Sequence, residues 1–185
     1  MESTDILMAE HRVIERVISV LETAAHRLEN GQNVRPGFFL DAADFNKGFG
    51  DGCHHKKEED VLFKALVKNG MSDKQGPVAV MLYEHNLGRQ FTAGMREAAL
   101  KLQAGDGSAR EKIVHNALGY AGLLRQHILK EDTVLFPMAG EVIPLSEQAQ
   151  VTEDFERVEH EETGEGVHEK YLALAEALEK EMQQP

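Results

Sequence analysis

The sequence predicts an all-α protein: an up-and-down four-helix bundle built from a duplicated helix pair, with an additional C-terminal helix. Three observations carry this reading. Apolar residues recur at helical spacing along most of the chain, Gly and Pro gather at a few short connections, and a ten-residue His/Glu motif occurs twice. The expected organisation is a bundle over residues 1–140 and a helical extension over 141–185 packed on the same domain. A chain of 185 residues suits one compact core better than two.

The first helix opens at Ser3 or Thr4 and places Ile6, Met8, Val13, Ile14, Val17, Val20 and Leu21 at helical spacing before stopping at Asn30-Gly31. Pro36 starts the second, which runs through Phe38, Phe45, Phe49, Val61 and Leu66 to Asn69-Gly70. Gly48, Gly50 and Gly52 weaken that helix locally, at about 1 kcal/mol each relative to alanine, and predict a distortion or a close approach there. After Gly76-Pro77 a third helix carries Met81, Phe91, Met95 and Leu102 to Gly105. Ser108, three residues before Glu111, has the spacing of a reciprocal cap for a fourth helix reaching about Met138. Pro144 and Ser146 open a final segment running to the C-terminus, which Gly164 and Gly166 kink or split.

Composition narrows the function classes. The formal net charge of −12 repels phosphate backbones and anionic membrane surfaces, so neither nucleic acid nor membrane is an expected partner. The single cysteine, Cys53, excludes an internal disulfide framework and a cysteine-built metal site. No stretch approaches the roughly 18 apolar residues of a membrane span, and the N-terminus lacks the pattern of a secretory signal. The expected location is the cytoplasm.

The most informative feature is the duplication. HHKKEEDVLF at 54–63 aligns without a gap to HILKEDTVLF at 127–136, and ILMAEH ending at His11 echoes VMLYEH ending at His85. Each half thus supplies Glu-His from its first helix and His-x-x-x-Glu from its second. A spacing of four puts His54 with Glu58, and His127 with Glu131, on one helix face, so each pair can meet one cation. Imidazole nitrogen with carboxylate oxygen suits iron, manganese or zinc rather than calcium or magnesium. One such pair is ordinary on a solvated helix. Two in duplicated decapeptides, plus two single histidines at nearly the same offset, point to two ions held between facing helices. His55 and Glu59 offer the same spacing one step round the helix; the second copy, with Ile128 at the position of His55, favours the His54 register.

These residues resemble the hemerythrin-like, or HHE cation-binding, family, whose pattern includes H-x-x-x-E[E] followed by Leu-Phe. The resemblance covers roughly residues 5 to 138. It implies a four-helix bundle with an oxo- or hydroxo-bridged pair of iron ions, with His11, His54, Glu58, His85, His127 and Glu131 at the ligand positions and Glu58 and Glu131 as bridging carboxylates. Zinc or manganese would accept the same donors. Oxygen-carrying relatives usually place two histidines one turn apart on the third helix, where this chain has His85 and then Arg89. Glu15, His55, Glu59, His160 or water would take the place of the fifth imidazole. The pattern is therefore closer to the carboxylate-richer, iron-sensing or nitric-oxide-responsive relatives.

The function expected is handling of oxygen, peroxide or nitric oxide by sensing, scavenging or iron storage. The alternatives are a di-iron redox enzyme, consuming peroxide or repairing iron–sulfur clusters, and an interaction module with a structural metal. The amphipathic final helix has two uses, covering the bundle or pairing with a protein partner or a second copy. Glu10 and Glu84, each preceding a ligand histidine, are candidates for orienting imidazoles. Because imidazoles bind metal only when neutral, the metal is expected to leave as pH falls through the histidine range near 6.5. Absorbance of the centre during acid titration checks this; an unchanged spectrum down to about pH 4 contradicts it.

Overall fold

The computed structural model describes residues 1–183, apart from the side chains of residues 161–163. Helix α1 spans Glu2–Glu29, with Glu2 and Asp5 in its first turn and His26 and Arg27 in its last, matching the helix dipole at both ends. Its N-terminus differs in detail from the expectation: the helix begins at Glu2, and the Thr4 hydroxyl donates to the Met1 carbonyl (2.7 Å). The stop at Asn30-Gly31 is as read. Gly31 adopts φ 76°, and the amides of Gly31 and Gln32 bond back to Leu28 and Arg27, closing the carbonyl end of the helix.

The second helix of the bundle is a composite. It begins as α2 (Pro36–Phe45), passes through π-helical stretches at Asn46–His55 and Glu58–Leu62, and finishes as α3 (Phe63–Lys68). The first π stretch coincides with the glycines at 48, 50 and 52, so the predicted distortion is a widened turn rather than a break. The third helix is α4 (Pro77–Gln103). The fourth runs from α5 (Arg110–Lys130) through a π turn at Glu131–Leu135 into α6 (Phe136–Val142), a little beyond Met138. Its start corrects the sequence reading: α5 follows Ala109 with no side-chain cap, and the Asp106 carboxylate instead caps the short 3₁₀ turn Gly107–Ala109 ahead of it, accepting from the Ser108 amide (3.0 Å) and hydroxyl (2.6 Å). The Ser108 hydroxyl is spent as a donor to Asp106, and the helix is led in by the 3₁₀ turn rather than by the box.

The final segment splits as expected. Helix α7 (Leu145–Arg157) and a π stretch (Val158–Thr163) end at Gly164, φ 102°, and α8 (Val167–Gln183) follows, the last two positions of the predicted run lying outside the described residues. Both pack against α1, and α8 also packs against α2.

Two apolar cores fill the bundle, and each of the four bundle helices passes from one to the other. Ile14, Leu21, Phe38, Phe45, Phe49, Met95, Ile113 and Leu124 belong to the first, which α8 covers with Tyr171, Ala175 and Leu178. Leu7, Leu62, Leu66, Val78, Met81, Leu135 and Phe136 belong to the second, which α7 covers with Val151 and Phe155. Between them each of these four helices contributes one to three buried polar residues: His11, then His54, His55 and Glu58, then His85, then His127 and Glu131. The fold thus sandwiches a charged layer between two hydrophobic ones.

Gly48 shows how closely α8 sits. A β-carbon there would lie 1.9 Å from the Tyr171 ring, a distance no pair of atoms tolerates. Gly48→Ala is expected to destabilise the protein by about 1–3 kcal/mol, the usual range for overpacking. Most of that loss should vanish in a Tyr171→Ala background, as read by denaturant unfolding of the four members of the cycle.

Candidate metal centre

The buried layer resolves into two adjoining groups. His11, His54, Glu58 and Glu131 bring one donor atom each within 4.8 Å of one another, and so do His55, Glu58, His85 and His127. Glu58 belongs to both. Its two oxygens divide between them, Oε1 lying 3.6 Å from His54 Nε2 and Oε2 lying 3.3 Å from His85 Nε2. Glu131 does the same: Oε2 is 3.2 Å from His11 Nε2 and Oε1 is 3.2 Å from His127 Nε2. Each carboxylate therefore spans the gap between the groups.

The donors face inward without partners of their own. His11 Nε2, His55 Nε2 and all four oxygens of Glu58 and Glu131 are buried and form no hydrogen bond within the described residues. Leaving a buried carboxylate unpaired costs several kcal/mol, so a protein that buries two of them side by side requires cations between them. His85 Nε2 and His127 Nε2 stand 3.1 Å apart, an arrangement that two lone pairs tolerate only with a proton or cation between.

Hydrogen bonding on the other ring nitrogen fixes which atom faces inward. His11 Nδ1 donates to Asp132 (2.7 Å), His54 Nδ1 to Glu10 (2.9 Å), His85 Nδ1 to Glu59 (2.7 Å) and His127 Nδ1 to Glu84 (2.9 Å). An ionised carboxylate can only accept, so Nδ1 carries the hydrogen and Nε2 presents its lone pair to the centre. The expected orienting roles of Glu10 and Glu84 appear here in crossed form: each serves the imidazole of the next helix rather than its own neighbour. Glu59 and Asp132 carry the same device, which the sequence reading missed; their matched places directly after Glu58 and Glu131 were the available signal.

A further ring of cations holds these carboxylates. Lys57 donates to Glu10 (2.6 Å) and Lys130 bonds to Glu84, and these lysines occupy equivalent positions in the two decapeptides. Arg12 bonds to Asp132, and Arg89 donates to Glu59 (2.7 Å) and to Asp51 (2.6 Å). Burial alone would raise the Glu10 carboxyl, but His54 and Lys57 override it and hold the pKa at about 2. For His11 and His127, burial disfavours the charged ring, yet the facing carboxylates win: the hydrogen bond to Asp132 and the nearby charge of Glu131 lift His11 to about 9, and the charge of Glu131 lifts His127 to about 10. The centre without a metal thus attracts protons to the same nitrogens that would bind one.

All six principal candidates lie in this layer. Of the alternatives for the fifth imidazole, only His55 joins them, its ring stacked on that of His85 at 3.8 Å between centroids. Its nearest carboxylate is Asp51, 3.5 Å from Nδ1. Comparison with the second copy favours the His54 register alone, but the wider turn of the π stretch changes the helical phase, and both consecutive histidines, His54 and His55, reach the layer. Ile128, its counterpart, is apolar core. Glu15 instead pairs with Arg12 near the surface, Glu59 lies behind His85, and His160 is exposed on the covering segment. Of the tyrosines, Tyr83 is exposed, Tyr171 packs from α8 against Gly48 and the first core, and Tyr120 is buried beside the cleft that His55 lines.

The hemerythrin HHE cation-binding domain model matches residues 2–139. This chain belongs to the hemerythrin HHE cation-binding family. Its membership accounts for the helical fold and identifies the protein as metal-binding. Among curated proteins it is similar to uncharacterized proteins of Mycobacterium tuberculosis and Mycobacterium bovis, each 26% identical over 177 residues, covering 95% of this chain and 68% of the relative. No solved structure matches. The HHE match ends at residue 139, just before α7 and α8, yet this C-terminal part reaches the layer: Lys57, fully buried, donates to Glu10 on α1 and to Glu159 (2.5 Å) of the covering segment.

That lysine makes a test of the supporting network. Lys57→Met strips a buried carboxylate of its cation and is expected to cost about 3–5 kcal/mol. Glu10→Gln in the same chain removes the stranded charge, and unfolding curves should show much of the loss recovered.

Proposed function

We propose that this protein holds two iron ions and uses them to handle oxygen, peroxide or nitric oxide. The observation that carries the reading is the pair of carboxylates, Glu58 and Glu131, each divided between two imidazole groups with all four oxygens otherwise unpartnered. On this reading Glu58 and Glu131 bridge the two ions, His11 and His54 hold one, and His55, His85 and His127 hold the other. Mixed nitrogen and oxygen donors of this kind suit iron, with manganese and zinc as competitors. Bound iron would supply reversible one-electron chemistry toward small oxygen and nitrogen species.

The residues of the chain do the rest. Asp132, Glu10, Glu59 and Glu84 keep four imidazoles in one tautomer, aimed inward, and raise their basicity. The two apolar cores, with Phe136 stacked on His11 and Phe63 on His85, limit water on both sides of the layer. The group of His11 and His54 would offer its ion one imidazole fewer than the group of His55, His85 and His127.

The experiment is metal content and ultraviolet-visible spectra of anaerobically purified, iron-supplemented protein before and after exposure to oxygen, peroxide and nitric oxide. Two irons per chain, with new near-ultraviolet absorption on oxidation, are expected. Glu58→Ala and Glu131→Ala should each fall below one iron per chain, while Glu15→Ala keeps two. Absence of any stoichiometric transition metal in the wild-type protein overturns the reading.

A further inference from the structure

Beside the buried layer lies a cleft of about 350 Å³, walled by the π stretch of the second helix, by α4 and by Tyr120 of α5. It falls at the lower end of the roughly 300–1,000 Å³ typical of small-molecule sites. Ala43 and Gly88 give it a buried apolar wall, extended by Thr92 and Ala93. His55 forms part of the wall, so the cleft abuts the three-imidazole group. A larger groove of about 1020 Å³ near Leu28, Phe91 and Val114 has no orphaned polar atom and no metal-ligating group among the described residues, and it carries no comparable chemistry.

The polar groups of the cleft are mostly donors. Asn46 is 96% buried (4% exposed), and its Nδ2 has no hydrogen-bond partner within the described residues. An amide N–H left this way loses about 1–3 kcal/mol relative to one that finds an acceptor. The Tyr120 phenol is buried, and desolvation keeps it protonated at neutral pH. At the rim, Lys47 and Arg96 are exposed and pair with no carboxylate among the described residues. The one acid of the wall, Asp51, is taken by Arg89 (Nε to Oδ1, 2.6 Å), and Arg89 divides its remaining charge with Glu59. Two uncompensated cations in a chain of net charge −12, over a buried unsatisfied donor, describe a receptor for an acceptor-rich anion.

We propose that this cleft binds a small organic carboxylate with a short apolar body. The carboxylate end satisfies the donors of Asn46, Lys47 and Arg96, and the apolar body covers Ala43, Gly88 and Ala93. His55 is the one imidazole of the layer without a carboxylate within 3 Å of its Nδ1, and Asp51, its nearest acid, lies on the cleft wall. Occupancy therefore alters the surroundings of the His55 end of the centre; this last link rests on the two-iron reading, whereas binding itself does not.

Calorimetric titration of the full chain with hexanoate, in metal-free and iron-loaded forms, tests the site. One saturable equivalent is expected in both forms. Lys47→Glu with Arg96→Glu should weaken binding by about tenfold, as two reversed rim charges allow, with iron content unchanged. Hexanamide, of equal length without charge, should bind at least about tenfold more weakly. No saturable binding to either form overturns the proposal, as does equal binding by the doubly reversed variant or by the amide. Hexanoate binding in a protein that takes up no iron would overturn the two-iron reading and leave the cleft standing.

Discussion

The structure depends on the burial of two carboxylates, Glu58 and Glu131, at the centre of a hydrophobic bundle. Neither has a hydrogen-bond donor that satisfies it, and a pair of like charges in a medium of low dielectric constant is among the least favourable arrangements a fold can contain. The surrounding residues follow from that constraint. Imidazoles stand where positive charge is needed, carboxylates stand behind the imidazoles, and Lys57, Lys130, Arg12 and Arg89 stand behind the carboxylates. Charge alternates outward in shells until it meets solvent. This explains why an overall acidic protein keeps a fully buried lysine: Lys57 is placed by electrostatics that start two shells further in.

The same constraint bears on the helices themselves. Among the described residues four stretches are π-helical, and three of them contain or immediately adjoin the buried layer: Asn46–His55, Glu58–Leu62 and Glu131–Leu135. A π turn sacrifices ideal hydrogen bonding to swing side chains out of the regular phase. Here it lets His54, His55 and Glu58, which a straight helix would spread over a wide arc, point to one place.

Much of this was legible in the sequence because duplication repeats a signal that one copy cannot establish. The bundle, its helix ends at Asn30-Gly31 and Asn69-Gly70, and the meeting of His11, His54, Glu58, His85, His127 and Glu131 all follow from periodicity, punctuation and matched spacing. What stayed hidden depends on phase and on long-range pairing. The second copy favours the register of His54 over that of His55, and the wider turns of the π stretch are what bring both to the layer. The pairing of Glu59 with His85 and of Asp132 with His11 joins residues 26 and 121 positions apart, which no local pattern encodes. The Ser108–Glu111 spacing predicts a reciprocal cap that does not form, because the Ser108 hydroxyl donates to Asp106, which caps the 3₁₀ turn ahead of the helix.

The crossed pattern of imidazole and carboxylate carries one more meaning. Within each half, the acid of the first helix steadies the imidazole of the second, as Glu10 does for His54 and Glu84 for His127; between halves, the acid of the second steadies the first helix of the other, as Asp132 does for His11 and Glu59 for His85. Followed round, the links form a closed circuit through all four helices. Neither half could complete its own layer, yet two identical halves could complete each other's, so the chain has the logic of a two-fold dimer fused end to end. The two halves are not equivalent, however: where one places His55 at the layer the other places Ile128 in the apolar core, so the layer has a head and a tail.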